Sequence, residues 1–282
     1  MIIIADSGSS KTHWKLLMPD GSSEMITTEG INPYHQRPRD IDEILKNSKL
    51  PTIANSVIDV FFYGAGCNYE ELKAKVRASL ASVFFDARIS VEHDLLGAAR
   101  SLCHREPGIA CILGTGSNSC YYDGTHIVQN SPSLGYILGD EGSGAYLGKK
   151  FIQDYLYGKL PTSIHDKFVD EFNLSIYQIL DSVYSKYLPN KFLASFSRFT
   201  VKYIKHPYIH GLVYSTFLDF FDNHVRTYDK CEEVETHFTG SIAFYYQDIL
   251  RRVATDLGIK VGNILQSPLQ GLQEYHQPKR LS

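Results

Sequence analysis

Twice in this chain an apolar strand runs into a short loop of small polar residues and returns at once as a second strand. The first unit is Ile2-Ile-Ile-Ala5, the loop Asp6-Ser-Gly-Ser-Ser-Lys-Thr12, and His13-Trp-Lys-Leu-Leu-Met18. The second is Gly108-Ile-Ala-Cys-Ile-Leu113, the loop Gly114-Thr-Gly-Ser-Asn-Ser119, and Cys120-Tyr-Tyr122. Apolar runs bounded by turn residues read as buried strands, and small-residue loops between them make hairpins. One hairpin type recurring in both halves points to a duplicated α/β architecture.

The residues around these units read as strands and helices in alternation. Val57 to Tyr63 and Ala87 to Val91 read as strands, and a helix is expected from Tyr69 to Phe84 with Leu72, Val76, Leu80 and Val83 on one face. Ile41 to Leu50 reads as a short amphipathic helix stopped by Pro51. Beyond Gly144 the chain turns helical, with helical spacing over Phe168 to Tyr187, His210 to Tyr228 and Phe244 to Leu257. Its many Tyr and Phe residues are expected to serve packing. Val234 to Phe238 and Lys260 to Leu265 are two more strands, and Ser267 to Tyr275 a closing helix with Pro268 in its first turn.

Composition narrows the function classes. At 282 residues, 43% hydrophobic and 21% charged, the chain can bury a large core and is long enough for two domains of ordinary size or one large one. A net charge of -3 supplies no basic field, so a small molecule is the expected partner, with neither nucleic acid nor membrane. Cys67, Cys103, Cys111, Cys120 and Cys231 form no C-x-x-C pair and read as buried thiols of a reducing compartment. Met1 to Asp6 lacks the basic flank and apolar length of a signal peptide, so the cytoplasm is the default location.

Three places carry chemistry. In the first loop, backbone N–H groups and hydroxyls could face phosphate oxygens, with Asp6 placed to hold a hydrated divalent cation; a plain polar β-turn is the alternative. The loop has neither Walker A nor G-x-G-x-x-G spacing. Asp94 follows a strand and opens a helix, where an α/β protein places a cleft acid, although capping the helix is the commoner task of such an aspartate. Ser133 to Gly144 packs four glycines and the Asp140-Glu141 pair into twelve residues, ahead of the helix Ala145 to Leu156. Glycine clusters mark tight turns or close approach to a ligand; a capped turn is the alternative.

In this order, Asp6-Ser-Gly-Ser-Ser-Lys-Thr12, Asp94, Gly114-Thr-Gly-Ser-Asn118, Gly139-Asp-Glu-Gly-Ser-Gly144 and Thr239-Gly-Ser-Ile-Ala243 resemble the motifs of the N-acetylglucosamine kinase family. That family sits with the activator ATPases of CoA-ester reductases and dehydratases, in the actin, Hsp70 and sugar kinase superfamily. The resemblance implies a two-domain actin-like, hexokinase-like (ribonuclease H-like) α/β fold with a nucleotide cleft between the domains. It divides the chain at residues 1–110 and 111–282, with the last helix packing back on the first domain.

Carried onto this sequence, the resemblance makes the first loop a phosphate hairpin, with Ser7, Gly8, Ser9, Ser10, Lys11 and Thr12 near ATP and Asp6 helping to hold Mg2+. Gly114, Thr115 and Gly116 become the second phosphate hairpin, Gly240 and Ser241 the adenosine segment, and Asp94 the catalytic base. Asn32, Thr115, Gly116, Asn118 and Asp140 match sugar-contacting positions. The implied reaction is transfer of phosphate from ATP to an amino sugar, N-acetylglucosamine at its 6-hydroxyl, and a homodimer is compatible with it. An activator ATPase and a non-catalytic sugar-binding homologue are the alternatives. Two features depart from the pattern: Ser7 and Ser9 stand where glycine is common, and Leu134 stands where these kinases carry a tryptophan.

Overall fold

The computed structural model describes residues 1–8 and 10–277, so Ser9 of the first loop lies outside the described residues. The chain forms two compact units, Arg105–Ser267 and the remainder on either side of it.

The first unit begins with β1 (Ile2–Ser7), β2 (Lys11–Leu17) and β3 (Ser23–Glu29), followed by α1 (Pro38–Lys46), a 3-10 segment (Leu50–Ser56), β4 (Asp59–Gly64), α2 (Glu70–Ala81), β5 (Arg88–His93) and α3 (Asp94–Cys103). The strands pair in the order β3-β2-β1-β4-β5, antiparallel across β1, β2 and β3 and parallel across β1, β4 and β5. The isoleucines of β1 take the central position because it is covered on both faces, where a continuous apolar run fits. Trp14 is fully buried, its indole N–H donating to the Thr28 hydroxyl at 3.0 Å.

The second unit runs through β6 (Gly108–Leu113), β7 (Ser117–Tyr122), β8 (Ile127–Asn130), a single turn α4 (Gly135–Leu138), and the helices α5 (Gly144–Leu156), α6 (Thr162–Phe172), α7 (Ile176–Tyr184), α8 (Pro189–Ser195), α9 (Ser197–Lys202) and α10 (Pro207–Phe220). A π-helical segment (Phe221–Val225), β9 (Thr236–Thr239), α11 (Ser241–Tyr245), α12 (Gln247–Asp256) and β10 (Val261–Leu265) complete it. Its sheet order is β8-β7-β6-β9-β10, antiparallel and parallel in the same places as the first. The two strand-loop-strand units thus occupy equivalent positions, β1–β2 and β6–β7, in sheets of one topology.

The last described helix, α13 (Leu269–His276), belongs to the first unit and packs on α3 and β1. Contact with α3 is close enough that a Cβ at Gly271 would stand 2.1 Å from the Ser101 carbonyl, and the Ser101 hydroxyl donates to the Pro268 carbonyl at 2.8 Å.

Several expected elements change in extent. The helix expected over Phe168 to Tyr187 is broken at Asn173, which takes the left-handed conformation (φ 44°) and closes α6. The helix expected over Phe244 to Leu257 is split at Tyr246 into α11 and α12. The edge strands β3 and β8 carry no run that predicts them, because only Ile26 of β3 is buried and no residue of β8 is. Phe151, Phe168, Phe172, Phe196 and Phe199 form a tilted and edge-to-face core cluster, such as Phe151–Phe168 at 5.2 Å and Phe172–Phe196 at 5.3 Å. Packing does not account for Tyr177, Tyr184 and Tyr187, which stand exposed. All five cysteines are thiols, four buried and Cys231 half-buried.

Candidate functional site

In the first unit the parallel strands place two carboxylates at their C-terminal ends. Asp6 pairs across to Tyr63 of β4, which pairs to Glu92 of β5, and Asp94 follows that strand directly as the first residue of α3. Burial pushes the Asp6 carboxyl up to about 7, and the Asp94 charge adds to the rise. Burial also raises Asp94, opposed by the Leu95 N–H that donates to its Oδ1 at 2.9 Å. Asp94 does not cap its helix. His93 does, its Nδ1 accepting from the Leu96 N–H at 3.4 Å.

The first hairpin differs from the expectation in its side chains. Ser7 and Thr12 turn inward and are almost fully buried. Their hydroxyls lie 2.6 Å apart, and Ser7 Oγ donates to the Ile31 carbonyl at 2.9 Å and accepts from the Ile31 N–H at 3.0 Å. Thr12 Oγ1 accepts from the same N–H at 3.2 Å. The two hydroxyls therefore bolt the hairpin to the segment leading to Asn32, rather than facing a phosphate. Gly8, Ser10 and Lys11 are exposed at the turn, where the Gly8 N–H donates to the Lys11 carbonyl at 3.0 Å. Asn32 lies against Gly66, where a Cβ would stand 2.1 Å from its Oδ1 and φ is +81°. Its side chain also accepts from the Tyr34 N–H at 3.0 Å.

In the second unit the loop Gly114-Thr115-Gly116 is tied to the start of α5. The Gly114 and Thr115 carbonyls accept from the N–H groups of Gly144 at 2.8 Å and Ala145 at 3.0 Å, groups that a helix leaves unpaired. The capping side chain of α5 is Ser143, which accepts from Tyr146 N–H at 3.1 Å, so neither Asp140 nor Glu141 serves as its cap.

Asp140 is only 8% exposed and sits at φ 59°, a left-handed conformation unusual for a side chain longer than glycine's. Its carboxylate lies over Gly116 and accepts from the Ser117 N–H at 3.4 Å. Burial pushes the Asp140 carboxyl above the ordinary range, with the Ser117 N–H opposing and the Glu141 charge adding to the rise. A non-glycine residue held at positive φ costs of order 1–3 kcal/mol, and such costs cluster at functional sites.

Asn118, on β7 with its side chain half-exposed, accepts from Ser119 N–H at 2.9 Å and Asn130 Nδ2 at 3.4 Å. Gly240 (φ 116°, ψ 160°) caps α11 from a backbone region open to glycine alone, and a Cβ there would stand 2.3 Å from the Leu113 carbonyl. This contact sets the Gly240-Ser241 segment against the end of β6, beside Gly114. Ser241 is exposed.

Sequence reasoning passes over His224, which is buried in the π-helical segment with Nε2 at 3.1 Å from Glu141 Oε2. A histidine one turn from Phe220 in an aromatic helix carries the signal of a core residue. Leu134, at the front of α4, is 57% exposed. Among the described residues, no helix is long and apolar enough to cross a membrane.

No protein-family model and no curated protein sequence matches the chain. Solved structures do. The putative N-acetylglucosamine kinase of Porphyromonas gingivalis is 44% identical over 98% of both chains, with a TM-score of 0.94. A second putative N-acetylglucosamine kinase, from Chromobacterium violaceum, is 18% identical over 98% of both chains, with a TM-score of 0.75. A ROK family glucokinase from Streptomyces griseus, in complex with glucose and AMPPNP, is 13% identical over 97% of both chains, with a TM-score of 0.56. The last two share the fold, whereas identity and coverage with the first extend over the sequence as a whole. The chain belongs to the N-acetylglucosamine kinase family.

Proposed function

We propose that the chain transfers phosphate from ATP to an amino sugar, N-acetylglucosamine at its 6-hydroxyl, with Asp94 as the base. The observation that carries the reading is the setting of Asp94: His93 caps α3, and Asp94 stands half-buried beside it with its carboxyl raised, one oxygen accepting from the Leu95 N–H. A carboxylate whose affinity for a proton is raised is a better acceptor for the proton of an attacking hydroxyl. Phosphoryl transfer otherwise asks mainly for positioning and charge stabilisation. The backbone of Gly8, Ser10 and Lys11 and of Gly114 to Gly116 suits the phosphates, and Gly240 lets backbone approach the nucleoside.

On the acceptor side, the Asp140 carboxylate can take two neighbouring hydroxyls at once, and the Asn118 and Asn32 amides can both donate and accept. Burial makes such pairing discriminating, because an analogue lacking a hydroxyl leaves a buried group unmatched at a cost of about 1–3 kcal/mol.

The residues fit a magnesium ion carried by the nucleotide. Asp6 brings one hard oxygen donor to the end of β1, and no group of three or more His, Cys, Asp or Glu forms a dedicated metal cage among the described residues. Magnesium is commonly held by one or two carboxylates plus substrate phosphates, and it neutralises charge on the transferring group. Nothing favours the activator ATPase, whose shared cluster needs presented thiols: Cys103 and Cys120 are buried at 5% and 0% exposure.

The test is ADP release from purified protein with MgATP across hexoses and amino sugars. Release that depends on N-acetylglucosamine or a close relative supports the reading, and no release above background with any sugar refutes it.

A further inference from the structure

Glu141 follows Asp140 directly, yet its carboxylate turns away to the π-helical segment. Oε2 meets His224 Nε2 at 3.1 Å and Oε1 accepts from Asn223 Nδ2 at 3.4 Å. The pair is buried, with side-chain exposures of 6% for His224 and 15% for Glu141. A carboxylate can only accept, so the ring proton sits on Nε2 and donates. The ring has no other anchor of that kind, since Nδ1 has no hydrogen-bond partner among the described residues. It is held flat by Phe220, stacked at 4.9 Å and 19°.

Successive side chains on an α-helix point about 100° apart, yet Asn223 and His224 both reach one carboxylate. The local winding allows this: the Arg226 N–H donates to the Phe221 carbonyl at 2.9 Å, one residue further back than in an α-helix. Such π-turns are frequent at functional sites. The same helix end clamps the next residue too, because a Cβ at Gly142 (φ +75°) would stand 2.8 Å from Phe220 Cβ. Glu141 is thus held between two residues of left-handed backbone, Asp140 at φ 59° and Gly142. A turn of that shape does not hold itself, and among the described residues Asp140 has only the 3.4 Å bond from Ser117 to fix its own carboxylate.

We infer that Glu141 and His224 are positioning residues that hold the Asp140 carboxylate in its sugar-accepting place. The inference rests on the reading of Asp140 as a sugar contact. It gives the acidic pair two roles, one member facing the substrate and the other anchoring the turn. Neither Glu141 nor His224 touches the sugar; both act through Asp140.

The test uses Glu141→Gln, which keeps the volume but offers an amide to one of its two donors, and His224→Phe, which keeps the stacking and removes the donor. His224→Gln, whose amide nitrogen can donate where Nε2 did, is the rescue. Each is made alone and in an Asp140→Asn background, with sugar KM, ATP KM, kcat and melting temperature measured. Glu141→Gln and His224→Phe are expected to raise sugar KM about tenfold, a size usual for residues coupled in one network, with ATP KM unchanged. His224→Gln should recover most of the loss. In the Asp140→Asn background neither change should raise sugar KM further. Wild-type sugar KM in both single variants, or effects that multiply with that of Asp140→Asn, overturn the inference. A purely structural role would lower the melting temperature and leave sugar KM in the folded enzyme unmoved. If Asp140→Asn itself leaves sugar KM unchanged, the underlying reading of Asp140 fails; a shift there with none in Glu141→Gln and His224→Phe removes this inference alone.

Discussion

Replacing Gly116 with alanine probes the sugar side with the smallest possible change. Gly116 is not among the positive-φ residues, so its backbone accepts alanine without strain. The added methyl would stand 3.0 Å from Asp140 Oδ2 and 3.3 Å from both Cγ and Oδ1, so something must give by a few tenths of an ångström. The loop side is held by the Gly114 N–H to Gly116 carbonyl bond at 3.0 Å and by the carbonyl contacts to α5. Among the described residues the Asp140 carboxylate has only the long Ser117 hydrogen bond at 3.4 Å, so it is the part that moves. A hydrogen bond to a charged group is worth about 1.5–3 kcal/mol net, and a carboxylate displaced by this much loses good geometry to one of two hydroxyls. Sugar KM should therefore rise about 10- to 150-fold, with ATP KM unchanged and stability altered by less than about 1 kcal/mol. Steady-state ADP release with sugar and ATP varied separately reads the first two, and urea unfolding reads the third. A folded Gly116→Ala enzyme with wild-type sugar KM would refute the reasoning, because the carboxylate would then have moved without consequence.

Three further outcomes are expected. Asp94→Asn should lower kcat by about 10²- to 10⁴-fold while calorimetry shows ATP still bound, and near-normal turnover would remove Asp94 as base. Ser7→Ala should cost about 1–3 kcal/mol in urea unfolding, since Ser7 Oγ serves Thr12 and both polar groups of Ile31, and should leave ATP KM unchanged in the folded enzyme. The opposite pattern would return the hydroxyl to the phosphates. Gly240→Ala meets backbone at 2.3 Å from a φ of +116° and should cost at least about 3 kcal/mol by the same method; wild-type stability would show that the β6 contact is not made.

The sequence was most readable where one physical requirement acts on neighbouring residues. The buried runs of β1 and β6 and the small-residue loops after them are local signals, and they lead to the paired sheets. Edge strands escaped because the half-exposed residues of β3 and β8 need no apolar run, only a neighbour to bond. The helix joints at Asn173 and Tyr246 escaped because apolar spacing continues across a break in backbone conformation. In the candidate site, the chemistry of Asp94 and Asp140 was suggested by residue type, but their environment was not. Nothing local in Ser7 or Thr12 says that Ile31 will claim their hydroxyls. Nor does Glu141 announce His224, because the pair is made by the fold of α10 and its π-helical end over the acidic turn.

We propose that this chain phosphorylates an amino sugar at a hydroxyl delivered to Asp94. Phosphorus and carbon NMR of the product formed from N-acetylglucosamine and MgATP measures it most directly. The expected product is a phosphomonoester on the 6-hydroxyl, formed in step with ADP and lost with Asp94→Asn. ADP and inorganic phosphate released without any phosphosugar, or a phosphosugar that still forms at the wild-type rate with Asp94→Asn, would contradict it.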